Sequence, residues 1–176
     1  MIANVRQAVG VSIFFFVLLG LLYPLAETGI GQALFSHQAN GSLSASGSEL
    51  VGQQWKGPQW FQGRPDSDDP MATGGSNLGP RSRELVTNVR AQIAQLKKEG
   101  ITPTQDLVTT SGSGVDPDIS PADAYAQVNA VAKANDLSVT AVHNLVASHV
   151  RPPELGFLGS SYVNVLDLNE SLAKVK

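Results

Sequence analysis

A run of twenty uncharged residues, Gln7 to Ala26, is the feature that most limits what this chain can fold into. Twelve of the twenty are Val, Ile, Leu or Phe, and the run is bounded by Arg6 and Glu27. Because a helix rises about 1.5 Å per residue, twenty residues reach about 30 Å, the thickness of the hydrocarbon core of a bilayer. The run therefore predicts one transmembrane helix at residues 7–26.

A cleaved signal peptide is the alternative interpretation of this run. The apolar region of a signal peptide is about 7 to 15 residues long and ends in a small-x-small cleavage site. Here the run is longer, and its end, Pro24-Leu25-Ala26, places a proline three residues before a cut. We therefore favour an uncleaved anchor.

The charges around the run predict its orientation. Arg6 and the terminal amine precede it, whereas Glu27 is the only charged residue for more than twenty positions after it. Positive charge flanking a span favours the cytoplasmic side. We therefore expect residues 1–6 in the cytoplasm, and residues 27–176 as an extracytoplasmic domain at the plasma or inner membrane.

Composition excludes several classes of function. The chain has no cysteine, which removes disulfides, thiolate metal sites and cysteine nucleophiles. After the run there are 11 basic residues (12 minus Arg6) and 15 acidic residues, a net charge of −4. Without a basic run, this balance argues against a nucleic-acid partner.

Residues 41–80 contain 8 Gly, 6 Ser and 4 Pro in 40 positions, a composition typical of flexible linkers. The same stretch contains Trp55, Trp60 and Phe61, and aromatic side chains of this size usually bury large areas. We expect loops and short strands packed on a core, with disorder as the alternative.

Three helices are predicted after this stretch. The first begins after Pro80 with Ser82 as its cap and ends near Gly100. Its spacing predicts one buried stripe, formed by Leu85, Val89, Ile93 and Leu96. The other two helices are capped by Ser120, which is followed by Pro121 and by Asp123 in a capping box, and by Ser138.

Two segments have the pattern of strands. QDLVTT, residues 105–110, predicts a short strand, and YVNVLDLN, residues 162–169, is apolar on both faces and predicts a central one. The expected fold is therefore an α/β domain of mixed α+β type, anchored by one N-terminal transmembrane helix.

No motif in the chain identifies an active site. The glycine-rich segments lack the lysine and hydroxyl of a phosphate-binding loop, and no GxSxG elbow surrounds a serine. His143 and His149 are six residues apart, so they do not share a helix face for a metal. The acidic clusters at residues 66–69 and 116–123 are better explained by Asp-Pro turns than by cation binding. We assign no catalytic residue, metal or directly bound cofactor.

Several segments nevertheless resemble one family. They are YPLAETGIGQALF at the end of the apolar run, QANGSL at 38–43, GRP followed by GGSNLGP within residues 63–80, DLVTTSGSGVDPDISP at 106–121, and LGFLGSSYVNVLDLN at 155–169. Together they resemble the C subunit of the Kdp-type potassium-transporting P-type ATPase. Two pairs depart from the usual motif: Asp66-Ser67 stands where the family usually has Ser-Ala, and Pro70-Met71 where it has Tyr-Asn. We carry no role over to residues 66–69.

The resemblance implies a non-catalytic accessory subunit of an ATP-driven potassium uptake complex. The implied partners are a P-type ATPase catalytic subunit and a potassium-channel-like subunit, which handle ATP and potassium. The implied role is to stabilise the assembly and to raise the ATP affinity of the catalytic subunit. The alternative function is an anchored extracytoplasmic solute-binding or sensor domain.

The resembling loops are the candidate docking surface for these partners. Their glycines allow close backbone approach and positive φ, and their prolines stiffen the loops. The candidate residues are Gly63, Arg64, Pro65, Gly74, Gly75, Ser76, Asn77, Gly79, Ser111, Gly112, Asp116 and Asp118.

Overall fold

The computed structural model describes residues 2–66, 69, 71 and 73–175, with side chains from residue 4 onward. The chain forms two compact units, Met1–Leu43 and Ser44–Lys176. The domain boundary predicted from the sequence lies between residues 26 and 27, at the end of the apolar run. The first unit extends further because helical structure continues beyond that run.

The first unit is helical. Its elements are α1 (Ile2–Val17), a π-helical turn (Leu18–Leu22), α2 (Tyr23–Leu34) and α3 (Ser36–Ala39). Within the part of the chain that the structure describes, one helix, Asn4–Leu34, is long and apolar enough to cross a membrane, and the mean hydropathy of its 18-residue window is 2.3. The predicted span at residues 7–26 lies inside this helix.

The π-helical turn has a local cause in Pro24. Proline has no backbone N–H and its ring clashes with the carbonyl four residues earlier, which here belongs to Gly20. The turn widens the helix just before the proline, and the Tyr23 N–H bonds to the carbonyl of Leu18. The helix therefore passes the proline without ending.

The second unit is mostly helical with one small sheet. Its elements in order are α4 (Arg83–Lys98), α5 (Gln105–Val108), β1 (Asp118–Ile119), α6 (Pro121–Ala134), α7 (Val139–His149), β2 (Val163–Asn164) and α8 (Val165–Val175). Strands β1 and β2 pair antiparallel, with Asp118 opposite Asn164. The expected mixed class therefore holds in coarse form, as helices with a two-stranded sheet.

The predicted helix caps are confirmed. The backbone N–H groups of Leu85, Asp123 and Ala141 bond to the hydroxyls of Ser82, Ser120 and Ser138, respectively. The buried stripe of α4 is confirmed only in part. Leu96 is fully buried, but Leu85, Val89 and Ile93 are half-buried.

Of the two predicted strands, the one at residues 105–110 is wrong, and the one at residues 162–169 is confirmed only at Val163–Asn164. Residues 105–108 form the helical turn α5, in which the Asp106 N–H bonds to the carboxylate of Asp123. In the segment 162–169 the strand stops at Asn164, whose side-chain oxygen accepts from the Asp167 N–H and so caps α8. A short apolar run suits a buried helix as well as a buried strand, and periodicity alone does not separate the two.

The main core lies among α6, α7, α8 and the sheet. Its fully buried members include Phe61, Val131, Val146, Leu168 and Leu172. A smaller cluster, Leu96, Ile101, Leu107 and Ala130, joins α4 and α5 to α6. Trp55 and Trp60 pack against the main core, with ring centroids 5.0 Å apart.

Two buried amides hold the irregular segment at Phe61 and Gln62 in this core. Asn169 accepts from the Phe61 N–H at 2.9 Å and donates to the Phe61 carbonyl at 2.8 Å. Gln127 pairs with Gln62 in the same way, at 2.7 and 3.0 Å. The side chains thus replace a partner strand for buried backbone groups. The prediction that residues 41–80 pack on a core is confirmed for this segment, although none of its described residues forms a strand.

Candidate functional site

The structure brings together two of the segments singled out in the sequence. The Gly74 N–H bonds to the Ser113 carbonyl at 2.6 Å. Gly114 has a φ of +72°, and a Cβ added there would lie 2.4 Å from the Gly74 carbonyl oxygen. A Cβ on Gly75 would lie 3.0 Å from the carbonyl oxygen of Gly112. We call residues 63–66 and 74–79 together with residues 111–116 the paired loops.

Arg64 ties the first of these loops to α5 and to the second loop. Its Nη2 lies 2.7 Å from Asp106 Oδ1, and its Nε lies 3.2 Å from Asp116 Oδ2. Its Nη1 donates to the Thr109 carbonyl at 3.3 Å. The guanidinium group therefore links its own loop to two other segments, by hydrogen bonds to Asp106 and Thr109 and by an ion pair with Asp116.

Asp66 is a second link between the paired loops. Its two carboxylate oxygens accept from the N–H and hydroxyl of Ser111 and from the Asp116 N–H. The Asp66 carbonyl accepts from Gln54 Nε2 at 3.0 Å. Its carboxylate therefore stabilises the second loop.

The acidic residues of the second loop form turns, as predicted. The Asp118 N–H bonds to the Asp116 carboxylate across Pro117 at 3.1 Å, which is an Asx turn. Burial raises the pKa of Asp118, and a hydrogen bond from Asn164 partly offsets this shift. In the first acidic cluster Asp69 accepts from the Met71 N–H at 2.9 Å, and Asp68 lies outside the described residues.

The twelve predicted docking residues differ in exposure. Gly74, Ser76, Asn77, Gly79 and Gly112 are exposed. Gly63, Arg64, Pro65, Gly75, Asp116 and Asp118 are half-buried, and Ser111 is buried. The polar side chains of the half-buried group, like that of Ser111, bind other parts of the same unit. The surface available to a partner is therefore the exposed glycine-rich part.

A groove of about 290 Å³ adjoins this surface. The segment of Ser76 and Leu78 forms one wall, and Leu85 and Val89 of α4 form another. Leu85 and Val89, two members of the predicted buried stripe of α4, are half-buried because they line this groove. Asn77 has a φ of +53°, so it supports the turn expected for it.

The histidines are engaged locally. His149 Nε2 lies 2.9 Å from the Ser171 hydroxyl, and its Nδ1 lies 2.8 Å from the Leu145 carbonyl. His143 stacks on Tyr125 with ring centroids 4.7 Å apart. Across the described residues, no group of three or more His, Asp or Glu side chains is placed to hold a metal ion.

Sequence reasoning missed three residues that shape this surface. We assigned no role to Asp66 and placed Asp106 in a strand. We named Gly112 as a docking residue, but not Gly114. The alternation in SGSG was the available signal, but it does not reveal which glycine has a positive φ. In the structure it is Gly114, which lies against the Gly74 carbonyl.

Comparison with known sequences identifies the family. The family KdpC, described as K+-transporting ATPase, c chain, matches residues 5–174. The chain belongs to the KdpC family. KdpC chains are subunits of a potassium-transporting ATPase, which confirms the resemblance seen in the sequence.

Curated KdpC sequences align over nearly their full length. The Potassium-transporting ATPase KdpC subunit of Caulobacter vibrioides (strain NA1000 / CB15N) is 44% identical, covering 98% of this chain and 93% of the relative. The subunit of the same name from Sorangium cellulosum is 44% identical, covering 98% of both chains. The one from Paraburkholderia phytofirmans is 44% identical, covering 89% of both.

Proposed function

We propose that this protein is a non-catalytic accessory subunit of an ATP-driven potassium uptake complex. It stabilises the assembly and raises the affinity of the P-type ATPase subunit for ATP. The observation that carries this proposal is the KdpC match over residues 5–174, which includes both paired loops. The partners are the ATP-hydrolysing subunit and a potassium-channel-like subunit of the same membrane complex.

The direct test is recovery of an active complex. The chain is purified through a C-terminal tag, in mild detergent, from its host grown at low potassium. We expect the eluate to contain the other ATPase subunits and to hydrolyse ATP in response to potassium. Membranes of a strain that lacks the gene should lose most of their potassium-stimulated ATP hydrolysis. An eluate that contains this chain alone would contradict the proposal and favour an anchored binding domain.

We further propose that residues 1–6 lie in the cytoplasm and that the second unit lies outside it. The helix Asn4–Leu34 and the single basic residue before its apolar part, Arg6, support this topology. Because the chain has no cysteine, single cysteines report position without background. An impermeant maleimide should label Ser160→Cys in intact cells with a permeable outer membrane, and should not label Asn4→Cys. The reverse pattern would contradict this topology.

An extracytoplasmic domain affects ATP binding only at a distance. Such coupling between sites is typically worth about 1 to 3 kcal/mol, or about 5- to 150-fold in affinity. The effect would pass through the membrane helix or through the partner subunits. The measurement is the KM for ATP of the complex with and without this chain. An unchanged KM in an otherwise active complex would remove the affinity role and leave the assembly role.

We propose that the exposed part of the paired loops, Gly74 to Gly79 with Gly112, docks on another subunit. Its support is a closely packed backbone and a surface with few long side chains. Gly75→Val should weaken recovery of the complex because its side chain would press on the Gly112 carbonyl. Asn77→Ala should do so too, with Asn144→Ala, at an exposed position of α7, as the control. Normal recovery of both loop variants would contradict this docking role.

A further inference from the structure

A second surface outside the paired loops carries unusual apolar exposure. It is the apolar loop, residues 154–159, with the sequence ELGFLG. Leu155 is 80% exposed, Phe157 is 73% exposed and Leu158 is 51% exposed. Single exposed apolar residues are ordinary on a protein surface, but three large ones at one loop tip indicate a contact surface.

Backbone hydrogen bonds give this loop a fixed shape. At its base, Arg151 and Tyr162 exchange two backbone hydrogen bonds of 2.9 and 3.1 Å. Closer to the tip, Glu154 and Leu158 exchange another two, of 3.0 and 2.9 Å. The tip is therefore arranged before any partner binds, which lowers the entropy cost of association.

Leu155 has an unfavourable backbone conformation as well as an exposed side chain. Its φ is +52°, in the left-handed region that Gly and Asn adopt far more readily than Leu. The neighbouring Gly156 and Gly159, at +82° and +81°, adopt it without a Cβ penalty. Within this chain Leu155 gains almost no burial in return. Strain of this kind is typical of binding sites, where a partner supplies the compensating contact.

Charge distinguishes a protein partner from a lipid surface. Loops and helices that insert into membrane interfaces usually carry Lys or Arg beside their apolar residues. Here the flanking residue is the exposed Glu154, and Arg151 at the base is ion-paired with Asp167. The whole second unit has 14 acidic residues (15 minus Glu27) and 11 basic residues (12 minus Arg6). An acidic unit with an acid-flanked apolar tip is poorly matched to an anionic bilayer.

We infer that the apolar loop inserts Leu155 and Phe157 into an apolar pocket with a basic rim on another subunit of the same potassium-transporting ATPase. This inference rests on the proposed function, because it names a contact within that assembly. Phe is enriched at the core of protein interfaces, and an aromatic or aliphatic anchor that enters a pocket is a common centre of such an interface. The basic rim pairs with Glu154.

Photo-crosslinking identifies what the loop touches. Benzoyl-phenylalanine replaces Phe157 in the full chain, in membranes that contain the complete complex, and replaces the 62%-exposed Leu50 as a control. We expect light to join position 157, and not position 50, to another subunit of the ATPase. Crosslinking only to lipid, only to a second copy of this chain, or no more than at position 50 would overturn the inference.

Substitutions separate binding from folding. Leu155→Asn and Phe157→Ser should each lower recovery of the other subunits about tenfold, whereas Leu50→Ser should not. Because Asn tolerates the left-handed region, Leu155→Asn should leave the Tm of the purified chain unchanged or raise it. A Tm that falls together with recovery would assign Leu155 to the fold and overturn the inference.

The same experiment separates this inference from the proposed function. Full recovery of the complex by both loop variants overturns the docking role of the apolar loop alone. Failure of the unsubstituted chain to recover any ATPase subunit overturns the proposed function, and the loop contact with it.

Discussion

The carboxylate of Asp66 accepts two hydrogen bonds from Ser111, one from its backbone N–H at 2.7 Å and one from its hydroxyl at 2.6 Å. The same carboxylate accepts from the Asp116 N–H at 3.0 Å. One side chain thus fixes both ends of a six-residue loop, 111–116. In a sheet, backbone carbonyls of a neighbouring strand would accept such hydrogen bonds; here a side chain accepts them.

We expect Asp66→Ala to destabilise the second unit by about 1 to 3 kcal/mol, because it leaves two backbone N–H groups and a hydroxyl without their acceptor. The measurement is urea unfolding of the full chain in detergent, followed by the fluorescence of Trp55 and Trp60. Asp69→Ala is the control, since the exposed Asp69 accepts a turn hydrogen bond from Met71. Equal losses from the two substitutions would contradict a special role for Asp66.

Gly114 and Gly112 form a matched pair for testing how closely the paired loops pack. Gly114→Ala places a Cβ 2.4 Å from the Gly74 carbonyl at a φ of +72°, and should cost about 1 to 3 kcal/mol. Gly112→Ala meets no atom within 4 Å and should change stability by less than about 0.5 kcal/mol. The same unfolding assay checks both. A tolerated Gly114→Ala would show that the loops separate easily.

Local signals in the sequence predicted three helices of the second unit, α4, α6 and α7. Ser82, Ser120 and Ser138 each cap a helix because a hydroxyl before an amphipathic run satisfies backbone donors without help from distant residues. The strand predicted at residues 105–110 failed because a contact outside the segment decided the outcome, the hydrogen bond from the Asp106 N–H to the Asp123 carboxylate. The strand predicted at residues 162–169 is shorter than expected because the side chain of Asn164, the last residue of β2, accepts from the Asp167 N–H and caps α8.

The candidate site was predicted only as a set of segments. The glycines and the Asp-Pro turn are local features, and their positions were recognised. The link from Arg64 to Asp106 and Asp116 joins residues more than forty positions apart in sequence. No local pattern shows such pairing. For the same reason, the sequence did not indicate a role for Asp66, whose carboxylate binds Ser111, 45 positions away.

Arg64 should be essential for the arrangement of the paired loops. Arg64→Ala leaves the half-buried carboxylates of Asp106 and Asp116 without their cation, and we expect a loss of about 1 to 3 kcal/mol. Arg64→Lys keeps the charge but not the fork of donors, so it should recover only part of this loss. Thermal unfolding of the full chain in detergent ranks the three proteins. A lysine variant as stable as the original would show that charge alone is sufficient.

The raised pKa of Asp118 predicts a specific pH dependence of stability. Because burial raises its pKa in the folded chain, the folded state holds its proton at pH values where the unfolded state, with a pKa of about 3.9, has lost it. Its contribution to stability therefore falls as pH rises through the window between those two pKa values, and stays constant above it. Asp118→Asn removes this penalty and still accepts from Asn164 through Oδ1. The variant should therefore gain stability over the original chain above that window, and the gain should shrink below it.

Glu170 provides a control of opposite sign for this pH measurement. Its pKa in the folded chain is lowered, chiefly by a hydrogen bond from the Ser44 hydroxyl. The carboxylate therefore contributes to stability at pH values above its unfolded pKa, and this contribution is lost as pH falls through its folded pKa. Glu170→Gln should therefore lose stability at neutral pH, where Asp118→Asn gains it. Thermal midpoints of the three full-length proteins between pH 4 and pH 8 make the comparison. If Asp118→Asn is less stable than the original chain at neutral pH, the Asp118 carboxylate stabilises the fold and the burial penalty is not its dominant effect.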